Sequence, residues 1–395
     1  MLVQLCSVVF AAVNVVMDLP VALVTEMLLN VSVQLPHQVA VRMVRDAKHD
    51  TEMATGLVII FVVLLQFLWG LFWGVSSWID AFFLFVVVHT TFSLNSDHYS
   101  MYMHTEGHKY WTPEGTWTFL GKRSSFFGVR VPKIPLMDYL WFLTGYPPAW
   151  GTVTHAKVHH VWHTLHPLDV DYIFDRPRNS VWAFLLFNLR AWFTNMLCLG
   201  VLRIYLWWPR VRVLSNIKVR QEWTRQMFVS LIVIGLICWI NRSMLWFILF
   251  NMMMTNLELN ISTWIQHSFL NYVDGTCNPW NSTTIAHDAM TWSGCAEHLK
   301  HHISPAQSQE AFIEWHKTAK ARELRQKYGF HVFNITNKAA YYRFFWAIIT
   351  GDYDWLVSAW VAIPSSNKHQ IPREEMKTLF RLQLERVFQP AECNS

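Results

Sequence analysis

Four runs of apolar residues frame this chain, at 57–75, 81–98, 223–240 and 244–265. A helix of about 20 residues crosses the hydrocarbon core of a bilayer, so each run predicts a transmembrane helix. The third reaches that length only if its flanks join it. The links at 76–80 and 241–243 leave room for little more than a tight turn. The pattern therefore predicts two helical hairpins, with both links on one face of the membrane and the rest of the chain on the other. The expected fold is all-α and integral to the membrane, with four spans.

Charge orients the hairpins. The first link holds no Lys or Arg and the second only Arg242, whereas about fifteen lie between Tyr99 and Arg225. The positive-inside rule places that segment in the cytoplasm. Two further apolar stretches do not read as spans. Residues 181–208 are interrupted by Arg190 and Arg203, which are costly at mid-membrane, and predict an interfacial helix. Residues 2–17 lack the basic start of a signal peptide and run into Asp18 and Pro20, predicting a membrane-surface segment. The domain plan is then an N-terminal surface segment (1–56), a membrane domain (57–305) and a cytoplasmic C-terminal cap (306–395).

Composition agrees with lipid as part of the solvent. Charged residues make up 15% of the chain, and 22 Trp are present, against about 25% charge in soluble domains. Tryptophan is favoured at the bilayer interface. The net charge of +5 forms no basic run and accompanies no groove-reading motif, so no nucleic-acid partner is expected. Six cysteines without a C-x-x-C pair argue against a disulfide framework or a zinc ribbon.

Chemistry enters with the histidines. They cluster as His104-Thr-Glu-Gly-His108, His155-Ala-Lys-Val-His159-His160 and His298-Leu-Lys-His301-His302. Residues three or four apart share a helix face, so each cluster can present two or three imidazoles together. Eight imidazoles exceed the four ligands of one structural zinc and suit two adjacent ions. A membrane zinc hydrolase would need only three histidines and a carboxylate, so the count disfavours it. His163, His166, Asp169 and Asp171 follow the second cluster, where ligands need hydrogen-bonded supports. Asn256, Glu258 and Asn260 lie inside the fourth run and could orient ligands or line a channel. His89 reads as a helix–helix hydrogen-bonding residue, and residues 252–254, three methionines, as packing.

These clusters resemble the three histidine boxes of the integral-membrane fatty acid desaturase superfamily, over roughly residues 57–305. The third, Gly294-Cys-Ala-Glu-His298-Leu-Lys-His301-His302-Ile-Ser-Pro305, is similar to the family's G-x-x-x-H-x-x-H-H-x-x-P segment. Thr263-Trp-Ile-Gln-His267 resembles the T-x-x-Q-H that precedes it in acyl-lipid members, which makes His267 a ninth ligand by resemblance. The resemblance implies two non-haem irons, O2, and single electrons from cytochrome b5 or ferredoxin. It implies removal of two vicinal hydrogens from a fatty acyl chain carried as lipid, acyl-CoA or acyl carrier. The metal ligands would be His104, His108, His155, His159, His160, His267, His298, His301 and His302. A hydroxylase, acetylenase or oxidative decarboxylase with the same boxes stays open, as do chain length and headgroup. No H-P-G-G haem signature occurs, so a separate electron donor is expected. His298 stands where front-end desaturases commonly carry Gln. The expected location is the endoplasmic reticulum in a eukaryote, with the active site facing the cytoplasm.

Overall fold

The computed structural model describes residues 47–93, 107–108, 110–111, 136–160, 169, 171–196, 217–269, 272–273, 276–277, 284–285, 298–303, 315, 318–328, 331–335, 338–361 and 371–387. His104, His163, His166 and the segment at 2–17 lie outside them. The described residues are mostly helical. In chain order come α1 (Ala47–Trp69) running into a π turn (Gly70–Gly74), α2 (Trp78–Ser93), α3 (Leu136–Tyr139), α4 (Trp141–Thr144) and a π-helix (Trp150–His159). Then follow α5 (Val181–Met196), α6 (Ile217–Ile240), α7 (Met244–His267), α8 (His298–Ile303), α9 (Ala319–Tyr328), α10 (Lys338–Thr350), α11 (Tyr353–Ala359) and α12 (Arg373–Glu385). Two pairs of two-residue strands are the minor β content. Tyr272–Val273 pairs antiparallel with Thr276–Cys277, and Thr284–Ile285 parallel with Val332–Phe333.

Among the described residues two helices, α6 and α7, are long and apolar enough to cross a membrane. Helix α6 starts at Ile217, ahead of the apolar run, which supplies the flank that run needed. Its outer side carries Phe228, Leu231, Ile232, Leu236 and Trp239, the last 83% exposed. Shorter apolar helices span Val58–Gly74, Trp78–Phe92 and Val181–Thr194.

The chain packs as two compact units, whose boundaries among the described residues fall inside the π-helix, α5 and α7. The hairpin unit holds the described residues of Ala12–Val158 and Trp192–Leu257; the C-terminal unit holds those of His159–Ala191 and Glu258–Ser395.

In the hairpin unit α1 lies against α2, and Phe67 meets Phe142 at 5.0 Å and Phe247 at 5.6 Å between ring centroids. Asp80 caps α2 by accepting from the backbone N–H groups of Ser76 (3.0 Å) and Ser77 (2.9 Å). The two hairpin links are bonded to each other. Asn241 Nδ2 donates to Leu71 O (3.2 Å) and Val75 O (2.7 Å), and Ser243 Oγ to Ser76 O (3.1 Å). Polar residues of α7 hold the end of α4, where backbone carbonyls lack helical partners. Asn251 Nδ2 donates to Leu143 O (2.5 Å) and Thr255 Oγ1 to Thr144 O (2.8 Å). Gly145 then turns the chain with φ 75°, and a Cβ there would stand 2.4 Å from Asn251 O.

In the C-terminal unit α5 packs on the end of α7 through Phe184 and Phe187, both 5.4 Å from Trp264, and through a 2.6 Å bond from Asn260 to Asn188. Asn260 therefore joins helices. Arg178 is fully buried and ties three segments together. Its guanidinium donates to the carbonyls of Ser268, Arg176, Gln383 and Arg386, and its backbone N–H to Leu384 O at 2.7 Å. The last three acceptors belong to the end of α12, where a cation complements the helix dipole.

His331 sits among Phe269, Phe333 and Phe380 and bonds Gln383 Oε1 through Nε2 at 2.7 Å. Burial pushes its pKa down to about 4, with Gln383 opposing only in part. An unfolded histidine takes its proton near 6.5. Between those values the unfolded chain binds more protons, so stability falls as pH drops from about 6.5 to about 4. Metal-free protein should lose about 3 kcal/mol across that window through this residue. Unfolding temperatures of the wild type and His331→Leu, measured against pH, check this: the wild-type curve falls more steeply. Parallel curves would mean that His331 does not carry the loss.

Candidate metal centre

The second histidine cluster lies on a π-helix rather than the α-helix that its spacing suggests. Gly151, Thr152, Val153 and Thr154 are weak α-formers. The N–H groups of Val153 and Thr154 both reach Ala149 O at 3.1 Å, the latter across five residues. Ala149 has φ 59°, the sole positive value at a non-glycine among the described residues. Such local strain clusters at functional sites.

Four histidines converge within the C-terminal unit. His159 ends the π-helix, His267 ends α7, and His298 and His302 lie one turn apart on α8. All four are buried, and one ligand nitrogen from each falls within 4.8 Å of the others. His298 Nε2 stands 2.9 Å from both His267 Nε2 and His302 Nε2. An imidazole nitrogen either donates or accepts, and it does so along one direction. Three nitrogens crowded edge to edge are poorly explained by hydrogen bonding and suit a shared cation. The buried cluster could hold a metal ion.

Neighbouring residues diverge. His160 meets His301 at 4.4 Å between ring centroids, nearly perpendicular, beside the four-histidine set. The second and third clusters thus each send one of two adjacent imidazoles to the set and the other to the pair, since consecutive helical side chains point in different directions. In the hairpin unit His108 and His155 stand 5.2 Å apart, and Trp150 stacks on His155 at 4.8 Å. His89 joins none of these groups; its ring lies 5.3 Å from Phe85.

Supporting carboxylates follow the second cluster. His159 Nδ1 lies 3.1 Å from Asp169 Oδ2 and 3.6 Å from Asp171 Oδ2. A proton held on Nδ1 leaves Nε2 for a metal and makes the ring a stronger donor. Burial disfavours charge on His159, but Asp169 and Asp171 together more than offset it and hold the imidazole pKa above its usual value. Burial, reinforced by Asp169 and opposed by His159, pushes Asp171 up to about 7.

Sequence reasoning passed over Gly107. A Cβ there would lie 2.7 Å from Gly151 O and 2.8 Å from Gly151 C. The first cluster carries glycine before His108 because the backbones of the first and second clusters touch. Gly107→Ala must therefore push backbone apart, a cost of about 1–3 kcal/mol. It should also separate His108 from His155. Thermal unfolding of the variant in detergent checks the first effect, and an unchanged midpoint would remove the close approach from the argument.

Searches of protein-family models, curated proteins and solved structures find no match to this chain. The desaturase resemblance rests on the spacing of the boxes.

Proposed function

We propose that the protein is a membrane non-haem diiron oxidase of the desaturase type, which introduces a double bond into a fatty acyl chain. The observation that carries this reading is the buried set His159, His267, His298 and His302, drawn from two boxes and the T-x-x-Q-H segment. One iron would take these four imidazoles. By the resemblance alone, the remaining box histidines, His104, His108, His155, His160 and His301, would serve the second. Bound iron would supply O2 activation and one-electron chemistry that no side chain here can perform. Imidazole also suits zinc and copper, so metal analysis of the purified protein must separate them.

The chain's own residues do the rest. Asp169 fixes the tautomer of His159. The four-imidazole set is buried, which would keep water from the reacting centre. The membrane arrangement proposed is four spans, α1 and α2 joining α6 and α7. The hydrogen bonds between the two links support placing both on one side. Asn241 lies in an Asn-Arg-Ser sequon, but its side-chain nitrogen is engaged by two carbonyls, so we expect it to stay unglycosylated. Proposed with this are a cytoplasmic orientation, the endoplasmic reticulum as location in a eukaryote, and a separate electron donor.

Metal analysis and lipid products test the proposal. Purified protein should carry about two irons, and expression in a host with simple lipids should yield new double bonds that His301→Ala abolishes. One zinc and no iron would overturn the oxidase. Hydroxylated or acetylenic lipids would keep the iron and replace desaturation as the outcome.

A further inference from the structure

The mechanism leaves unused a buried carboxylate, Asp138, which lies on α3 and contacts none of the histidines named as ligands. Its two oxygens face the first turn of the π-helix. Oδ1 accepts from Gly151 N (2.9 Å), and Oδ2 from Thr152 N (2.9 Å) and Thr152 Oγ1 (2.5 Å). The other early amides are satisfied by backbone: Trp150 N reaches Pro147 O, and Val153 N and Thr154 N share Ala149 O, each at 3.1 Å. All five N–H groups at residues 150–154 thus have an acceptor, and only Gly151 and Thr152 depend on a side chain. The remaining groups of Thr152 are held from two other segments. Gln226 Nε2 on α6 donates to its Oγ1 (3.0 Å), and Trp111 Nε1 donates to its carbonyl (2.6 Å). Gln226 also donates to Glu222 Oε1 (2.7 Å), whose other oxygen accepts from Tyr110 Oη (2.6 Å).

We infer that Asp138 is the positioning residue of the second histidine box. From outside the helix it supplies the two acceptors that hold the start of the π-helix, and it thereby sets where His155 points relative to His108. The buried chain Asp138–Thr152–Gln226–Glu222–Tyr110 joins the first box, the second box and α6 into one frame. An uncharged amide in place of Asp138 offers one acceptor where two N–H groups need one each, and turns its own donor toward the other.

The effect on metal rests on the diiron reading, whereas the effect on the backbone does not, so the test has both arms. Hydrogen exchange is followed by mass spectrometry on full-length wild type, Asp138→Asn, Thr152→Val and, as control, Asp80→Asn, which removes a carboxylate cap elsewhere in the hairpin unit. In Asp138→Asn the segment 150–154 should exchange at least about ten-fold faster, with α10–α12 unchanged. Thr152→Val should give a smaller rise at the same place, and Asp80→Asn none there. Iron per chain in Asp138→Asn should fall from about two to about one, because three of the four imidazoles of the C-terminal set lie off the π-helix and His159, at its far end, is held by Asp169. Unchanged exchange at 150–154, or an equal rise throughout the protein, overturns the positioning role. A wild type without iron overturns the diiron reading instead, and the exchange rates still decide the role of Asp138.

Discussion

Replacing His298 with alanine should weaken metal binding at the four-imidazole set on the order of a hundred- to a thousand-fold and reduce product formation toward the host background. His298 is the residue to choose because its Nε2 makes both 2.9 Å edges, to His267 and to His302. Removing it leaves His267, His302 and His159 without the imidazole that both edges share. Structural four-ligand zinc sites bind with about 10–16 kcal/mol, or about 3 kcal/mol per ligand, so one lost ligand weakens affinity on the order of a hundred- to a thousand-fold. Competition of the purified protein against a chelator of known affinity measures this directly. His89→Ala is the matched control, since His89 stands in no ligand group. If His298→Ala retains wild-type affinity, or His89→Ala loses it, the assignment of the set is wrong.

The second large effect falls on Arg178. Arg178→Met keeps an apolar stem against Phe174 but deletes the four side-chain bonds to carbonyls of Ser268, Arg176, Gln383 and Arg386. Buried hydrogen bonds to a charged group contribute roughly 1.5–3 kcal/mol each and do not add fully. A loss of about 3 kcal/mol or more is expected. The consequence reaches the metal set because Ser268 directly follows His267. Release of α12 should therefore accompany weaker metal binding, visible as faster proteolysis within 371–387 together with lower iron content. Retention of both would confine Arg178 to a packing role.

Much of this arrangement was legible in the sequence, and for a local reason. Runs of apolar side chains and histidines three or four apart are properties of short segments, so helicity, the two long apolar helices α6 and α7, and the clustering of imidazoles could be read from spacing. The aspartates after the second box could be suspected for the same reason, and Asp169 does meet His159. Other features depend on partners far along the chain. Asp138 lies thirteen residues before Gly151 and Gln226 seventy-four after Thr152, and no periodicity links them. Gly107 looked like a spacer inside a box until its Cβ position met the carbonyl of Gly151. The run Gly151 to Thr154 carries weak α-formers, a signal that could have raised the π-helix.

The sequence by itself determined that this chain is helical, rich in lipid-compatible surface, and supplied with imidazoles in groups of two and three, because composition and short spacings decide those properties. Only the tertiary structure decided which imidazole goes where. Adjacent residues such as His159 and His160, or His301 and His302, leave a helix in different directions, and what each meets is set by how α7, α8 and the π-helix pack. The sorting of four of them into one buried set, with Asp169 behind His159, is a consequence of that packing and of nothing local to any box.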